Sequence, residues 1–84
     1  MQLKQNQTLR IEDIYVPARL RGKIEAHKVD ALAASMLEQG QLTPILVRPD
    51  GERFVLVEGL HRLEACKALG ETTIIALVVQ ARRN

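Results

Sequence analysis

The stretch Phe54–Gly70, F-V-L-V-E-G-L-H-R-L-E-A-C-K-A-L-G, decides how the rest of the sequence is interpreted. An apolar run ends at Glu58-Gly59, which is typical of a buried strand. The residues that follow have helical spacing and end at Gly70, a residue suited to terminating a helix. The stretch therefore predicts a strand, a glycine turn and a helix. The residues predicted to face the core from this helix are Leu63, Cys66 and Leu69, with Ala65 and Ala68 allowing close packing.

The first turn of this helix carries His61 and Arg62. A helix N-terminus presents unpaired N–H groups and partial positive charge, so it suits phosphate and other anions. Gly59 would let a ligand approach the backbone, and Arg62 can contact phosphate oxygens bidentately. An ordinary turn, with Arg62 paired to Glu58 and His61 to Glu64, explains the same residues. Physical reasoning leaves both interpretations open.

Length and composition predict a single domain over residues 1–84, in which residues 1–8 and 81–84 are expected to be frayed. At 84 residues and 46% hydrophobic content the chain can form one core. Phe54 and Tyr15 are its only aromatic residues, and its net charge is only +2, which disfavours stacking platforms and strongly basic DNA-binding modules. The lone Cys66 excludes an internal disulfide and is expected to be a small core residue. With no signal peptide or membrane span in the pattern, we expect a cytoplasmic protein.

The remaining patterns predict a small mixed sheet with two main helices, in an α/β (α+β) arrangement. A short first strand is expected over 9–16, broken by Glu12-Asp13. A basic loop is expected over 18–23, and a helix over 28–39 with its apolar face in the core. A hairpin is expected from strands at 45–48 and 53–57, with a turn at Pro49–Glu52. The apolar run 74–79 predicts a strand covered on both faces.

Two other clusters of charge have ordinary explanations. Arg19, Arg21 and Lys23 form either a solvated loop or a surface that contacts DNA or a protein partner. The carboxylate pairs Glu12-Asp13 and Asp50/Glu52 do not predict a metal site, because the second pair lies in a predicted turn.

Three short motifs resemble the ParB N-terminal domain of the ParB/sulfiredoxin superfamily. Val16–Arg21 reads V-P-A-R-L-R against N-P-x-Q-P-R, and Gly40–Ile45 reads G-Q-L-T-P-I against G-[IL]-[IL]-Q-P-I. Gly59–Ala65 reads G-L-H-R-L-E-A against G-E-R-R-x-x-A. The resemblance covers most of the chain and implies the ParB/sulfiredoxin-like fold. The positions that agree with the motifs are Pro17, Arg21, Gly40, Leu42, Pro44, Ile45, Gly59, Arg62 and Ala65.

The resemblance implies a nucleotide pocket for a nucleoside triphosphate, CTP being favoured, with Mg²⁺. By analogy Gly59, Leu60, His61 and Arg62 would hold the phosphates and Arg21 would reach them from its loop. The nucleoside would lie near Gln41 and Thr43. The resemblance further implies a switch module in plasmid or chromosome partition or in DNA-linked regulation. DNA bound through separate segments is the expected partner, and a homodimer is a further expectation.

Alternatives within the same superfamily concern catalysis. Members labelled nucleases and relatives that are kinases leave Glu58 and His61 as weak catalytic candidates. A sulfiredoxin activity is not expected, because the cysteine of its G-C-H-R motif corresponds to Leu60 here. A non-catalytic module that contacts DNA or protein through Arg19, Arg21 and Lys23 is the remaining alternative.

Overall fold

The computed structural model describes residues 6–79, which form one five-stranded sheet with its two main helices packed on one face. The expected fraying of residues 81–84 lies outside the described residues. The expected fraying of 6–8 is wrong, since these residues are part of the first strand. The strands are β1 (Asn6–Arg10), β2 (Ile14–Tyr15), β3 (Ile45–Asp50), β4 (Arg53–Glu58) and β5 (Thr73–Val78). The α-helices are α1 (Ala18–Arg21), α2 (Ala26–Gln39) and α3 (Leu60–Ala68).

The sheet order is β1-β5-β3-β4-β2. The predicted β3–β4 hairpin is confirmed, although β3 runs through Pro49 to Asp50 and the turn is shorter than expected. Proline is tolerated there because β3 pairs with β5 only over Ile45–Val47, so the Pro49 nitrogen faces no strand partner. α3 connects β4 to β5, and β5 lies parallel to β3 and so runs opposite to β4.

The break expected at Glu12-Asp13 in the first strand is confirmed, because a 3₁₀ turn at Ile11–Asp13 separates β1 from β2. Arg10 stabilises this turn through ion pairs with Glu12 and Asp13, at 3.2 and 3.1 Å. The division sends β1 and β2 to opposite edges of the sheet, where β1 pairs with β5 and β2 with β4. The loop expected over 18–23 is wrong in part, since residues 18–21 form the short helix α1.

The core lies between the sheet and α3, and its most completely buried side chains are Ile45, Val47, Leu56 and Leu63. As predicted, Cys66 belongs to it. The prediction that the apolar face of α2 lies in the core is confirmed only in part. Met36 packs against the core, but α2 packs mainly on α3, none of its residues is fully buried, and Leu37 is 76% exposed. β5 is likewise buried on one face only, where Ile74 and Ala76 lie, while Ile75 is half-buried on the other face.

Gly59 joins β4 to α3 in the left-handed region, with φ +108°. A Cβ built there would lie 2.7 Å from Ile45 Cγ2 and 3.2 Å from the Ile45 backbone. Both the backbone conformation and the close approach therefore require glycine. This contact places the N-terminus of α3 directly against the start of β3.

We predict that Gly59→Ala lowers the free energy of unfolding by about 1–3 kcal/mol from backbone strain alone, with overlap against Ile45 added to it. Gly70→Ala separates the two effects, because Gly70 has φ +79° but open space around its Cβ position. Gly22→Ala is a control without either penalty. Urea denaturation of the three variants checks the order: Gly59→Ala should be the least stable. Equal stabilities for Gly59→Ala and Gly70→Ala would contradict the close-contact argument.

Candidate functional site

The first turn of α3 is a helix N-terminus with no side-chain cap. The first intrahelical bond runs from the Leu63 N–H to the Gly59 carbonyl at 2.9 Å, so the N–H groups of the preceding residues have no intrahelical acceptor. Arg62 lies in this turn and is half-buried. Within residues 6–79 its guanidinium has no hydrogen-bond or ion-pair partner, so the predicted Glu58–Arg62 pair is not formed. This turn therefore combines backbone donors with an uncommitted cation.

The side chain of Leu60 cannot line a phosphate site. It is only 8% exposed and packs into the core between α3 and the sheet. Only the backbone N–H of Leu60 could take the role that the sequence analysis assigned to this residue. Its burial also explains why an apolar residue is accepted at the second position of the turn.

His61 connects α3 to the start of α2. Its Nε2 accepts a hydrogen bond from the backbone N–H of Glu25 at 3.1 Å, and Glu25 is the N-cap residue of α2. The alternative pairing of His61 with Glu64 is wrong, because Glu64 pairs with Lys67 at 3.2 Å. An accepting Nε2 means that the proton of the neutral ring is on Nδ1. Nδ1–H is therefore the donor that His61 can offer to a ligand.

The carboxylate of Glu25 lies at the surface and pairs with the side chain of Lys28. Lys28 hydrogen-bonds its carboxylate at 3.0 Å, and this bond and the charge of Lys28 are the main causes that lower the pKa of Glu25. Because the pKa is lowered on folding, these contacts favour the folded state above the pKa of the unfolded chain and are lost as the pH falls through the folded value. The carboxylate is fully exposed, so this contribution is weak.

The three motifs adjoin one another around this turn. Gly59 contacts Ile45, the last residue of the second motif, and His61 bonds to Glu25, four residues beyond the first. Thr43 is exposed in the loop before β3, two residues from the Gly59 contact. These contacts bring the segments together. They leave the individual phosphate and nucleoside contacts as predictions.

Gln41 has a structural partner that the sequence analysis missed. Its Oε1 accepts from the Ile75 N–H and its Nε2 donates to the Ile75 carbonyl, both at 2.8 Å, and Nε2 also donates to the Thr43 carbonyl at 3.0 Å. The amide thus takes the place of a β3 residue beside β5, just before β3 begins at Ile45. Since the partners are 34 residues apart, no local sequence signal could have indicated this role.

The basic segment lies at the corner where β2 meets α1. Arg21 donates from Nε to the Val16 carbonyl at 3.0 Å and lines a groove of about 420 Å³ with Glu64 and Lys67 on the outer face of α3. Arg19 and Lys23 are exposed. The reach of Arg21 to bound phosphates, and contact of all three cations with DNA or a partner, stay predictions.

Other chemistry-bearing groups have simpler surroundings. Glu58 is exposed at the end of β4. Burial raises the pKa of the Cys66 thiol, with a smaller contribution from Glu71. Residues 6–79 contain no group of three His, Cys, Asp or Glu side chains arranged to hold a metal ion. None of the helices described is long and apolar enough to cross a membrane.

We predict that His61→Leu lowers the free energy of unfolding by about 0.5–1.5 kcal/mol, because the Glu25 N–H loses its acceptor. His61→Gln should retain most of this stability, since its side-chain oxygen has a similar reach to Nε2. Urea denaturation and amide exchange at Glu25 provide the measurement. His27→Leu, at an exposed histidine of α2, is the matched control. Unchanged exchange at Glu25 in His61→Leu would show that the bond contributes nothing.

We also predict that Gln41→Ala destabilises the domain by about 1–3 kcal/mol, because two backbone groups of Ile75 lose their partners. Gln41→Glu should be destabilising too, since a carboxylate oxygen replaces the donor that faces the Ile75 carbonyl. Gln39→Ala, at the exposed end of α2, is the control for denaturation experiments. A Gln41→Ala variant as stable as Gln39→Ala would refute the strand-like role.

Comparison of the sequence with known families gives a match to the ParB N-terminal domain over residues 1–84. A probable chromosome-partitioning protein ParB of Campylobacter jejuni is 35% identical over 68 residues, covering 81% of this chain and 24% of that protein. A probable chromosome 1-partitioning protein ParB of Deinococcus radiodurans is 39% identical over 75 residues, covering 88% of this chain and 26% of that protein. The chain thus spans about a quarter of the length of these curated relatives.

Solved structures agree with this assignment. Sulfiredoxin from Arabidopsis thaliana superposes with a TM-score of 0.83 at 27% identity, covering 92% of this chain and 86% of that chain. The C-terminally truncated chromosome-partitioning protein ParB from Caulobacter crescentus, complexed with CTP-gamma-S, superposes with a TM-score of 0.80 at 27% identity. That match covers 93% of this chain and 46% of the other. The fold predicted from the three motifs is confirmed, and the chain belongs to the ParB N-terminal domain family, within the ParB/sulfiredoxin superfamily.

Proposed function

We propose that this domain binds a nucleoside triphosphate, CTP being favoured, with its phosphates on the first turn of α3. The observation that carries the proposal is the uncapped helix N-terminus with the uncommitted guanidinium of Arg62 beside it. Backbone N–H groups and the helix dipole favour anionic oxygens at this position, and an arginine adds charge-assisted bonds of fixed geometry. The positive φ of Gly59 exposes the backbone at the entry to this turn.

Each residue of the turn has a distinct role in this proposal. The N–H groups that begin α3, including that of Leu60, contact phosphate oxygens, and Arg62 binds them bidentately. His61 donates from Nδ1 while Nε2 holds the Glu25 N–H. Gln41 keeps the loop before β3 in place through its bonds to Ile75, so that Thr43 faces the nucleoside. Arg21 approaches from the neighbouring segment.

Support for CTP as the nucleotide comes from the Caulobacter crescentus ParB, which was solved with CTP-gamma-S and resembles this chain over 93% of its length. Mg²⁺ would accompany the triphosphate and neutralise its charge. Magnesium in nucleotide sites is commonly held by phosphate oxygens, water and one or two carboxylates.

The biological role that we propose is a cytoplasmic switch module in plasmid or chromosome partition or in DNA-linked regulation. Its support is the family, since the relatives in Campylobacter jejuni and Deinococcus radiodurans are named as chromosome-partitioning proteins. Another Caulobacter crescentus ParB structure, 28% identical to this chain, contains the centromeric parS site. DNA is accordingly the proposed partner, reached in part through segments other than this domain.

We propose that switching acts through the two polar contacts at the ends of α2. His61 joins the first turn of α3 to the N-cap residue of α2, and Gln41 joins the loop after α2 to β5. A triphosphate that contacts the first turn and the loop would therefore fix both ends of α2 relative to the sheet. Binding can favour one arrangement of α2 only if the ligand binds that arrangement more tightly.

We predict that calorimetric titration in Mg²⁺ gives saturable binding of CTP, with ATP and GTP as the comparison. Arg62→Ala should weaken CTP binding by about tenfold to a hundredfold, the usual loss when a charged hydrogen bond is removed. Arg48→Ala removes the same charge on the opposite face of the sheet and should leave the affinity unchanged. Binding that is absent in the wild type, or equal in both variants, would refute the proposed site.

A further inference from the structure

On the face of the sheet that carries no helix, the pairing of the strands places several side chains next to one another in a row. Arg48, Val55 and Tyr15 lie side by side across β3, β4 and β2. Arg53 precedes Val55 by two residues on β4 and therefore lies on the same face. The core cluster on the helix side contains none of these four residues. They lie on the sheet face opposite α3. Arg21 borders this surface from α1 and also belongs to the proposed phosphate site. We call Tyr15, Arg21, Arg48 and Arg53 the Tyr15 patch.

Tyr15 organises the charge of this patch. The guanidinium carbon of Arg53 lies 4.2 Å from the centroid of the tyrosine ring, and that of Arg21, which reaches the same edge from α1, lies 5.8 Å away. Both distances are within the range of cation–π interaction. The ring is 38% exposed, so the guanidiniums are held beside an accessible aromatic surface.

The charges of the patch are only partly neutralised. Asp50 pairs with Arg53 at 3.0 Å, and Arg21 uses Nε for the Val16 carbonyl. Arg48 is exposed and forms no ion pair with any residue that the structure describes. The patch therefore has three guanidiniums against one paired carboxylate, and its terminal nitrogens remain available to anionic oxygens.

Apolar surface adjoins these charges. Val57 follows on β4 and is 43% exposed, and Leu46 is half-buried on β3. Val55, only 5% exposed, lies among the charged side chains. Tyrosine and arginine beside aliphatic surface is the composition found at the energetically dominant positions of protein–protein interfaces.

We propose that the Tyr15 patch binds an acidic protein segment, whose carboxylates pair with the guanidiniums and whose apolar side chains pack on Val57 and Leu46. The charge complementarity selects carboxylates. The aliphatic side chains beside the charges favour a polypeptide over duplex DNA. Protein–DNA interfaces are more polar and much more positively charged, and a phosphate backbone offers no apolar group to pack on Val57 and Leu46. Arg48 and Arg53, unlike Arg21, have no part in the proposed phosphate site, so binding through them does not require nucleotide.

The probe is a short synthetic peptide in which glutamates alternate with leucines, titrated into the ¹⁵N-labelled domain without nucleotide. We expect saturable shifts at the amides of Tyr15, Arg48 and Val57, and an affinity that falls as salt increases. Arg48→Gln should weaken binding at least about fivefold, as expected for an interfacial charge. Lys28→Gln, which removes one charge from α2, should not.

Two further arms make the result decisive. Tyr15→Phe should bind as the wild type does and Tyr15→Leu should bind more weakly, because phenylalanine keeps the ring that contacts the guanidiniums of Arg21 and Arg53 and leucine does not. Amide dispersion and the unfolding midpoint verify that each variant is folded. A glutamine–leucine version of the peptide should not bind. The proposal is overturned if the glutamate peptide does not bind, if the glutamine peptide binds equally well, or if duplex DNA rather than the peptide shifts these amides.

Discussion

The contact between Gly59 and Ile45 is the constraint on which the rest of the domain depends. It fixes the angle at which the chain leaves β4 and begins α3, and so determines which face of α3 covers the sheet. Leu60 and Leu63 enter the core because the helix begins at this point and in this direction. The same turn leaves the first N–H groups of α3 outside the core. One backbone approach therefore determines both the packing of α3 and the position of the helix end at which we propose that an anion binds.

Most features predicted correctly from the sequence are local ones. The β3–β4 hairpin, the glycine turn and α3 each depend on residues a few positions apart, so apolar spacing and turn chemistry suffice to indicate them. The edges of the sheet could not be found in this way. Glu12-Asp13 indicated the break in the first strand, whereas the placement of β1 and β2 at opposite edges of the sheet depends on where β5 and β4 lie. The exposed Leu37 shows the same limit, because an amphipathic pattern does not say how much of its stripe a neighbour covers.

The candidate site was predictable as a set of positions, whereas the contacts of several side chains were not. Motif spacing indicated that three segments would meet, and Gly59 and His61 do contact the other two. The partner of His61 lies 36 residues away and that of Gln41 lies 34 residues away. Such contacts arise only from the topology. These contacts determine which groups of the site can bind a ligand. The Leu60 side chain packs in the core and the Gln41 amide is hydrogen-bonded to β5. The groups that could contact an anion are therefore Arg62 and the backbone N–H groups of the first turn.

The same hydrogen bonds connect the candidate site to α2. α2 has no fully buried residue and no side-chain cap at its N-terminus, so its position depends on packing against α3 and on a few polar ties. The His61–Glu25 bond is one such tie, and it begins within the turn that would hold the phosphates. An anion that draws on Nδ1–H of His61 orients the ring and leaves Nε2 accepting, which strengthens the tie. A helix held by few contacts is the element that a modest binding energy can reposition, and the strongly packed sheet beneath it is not.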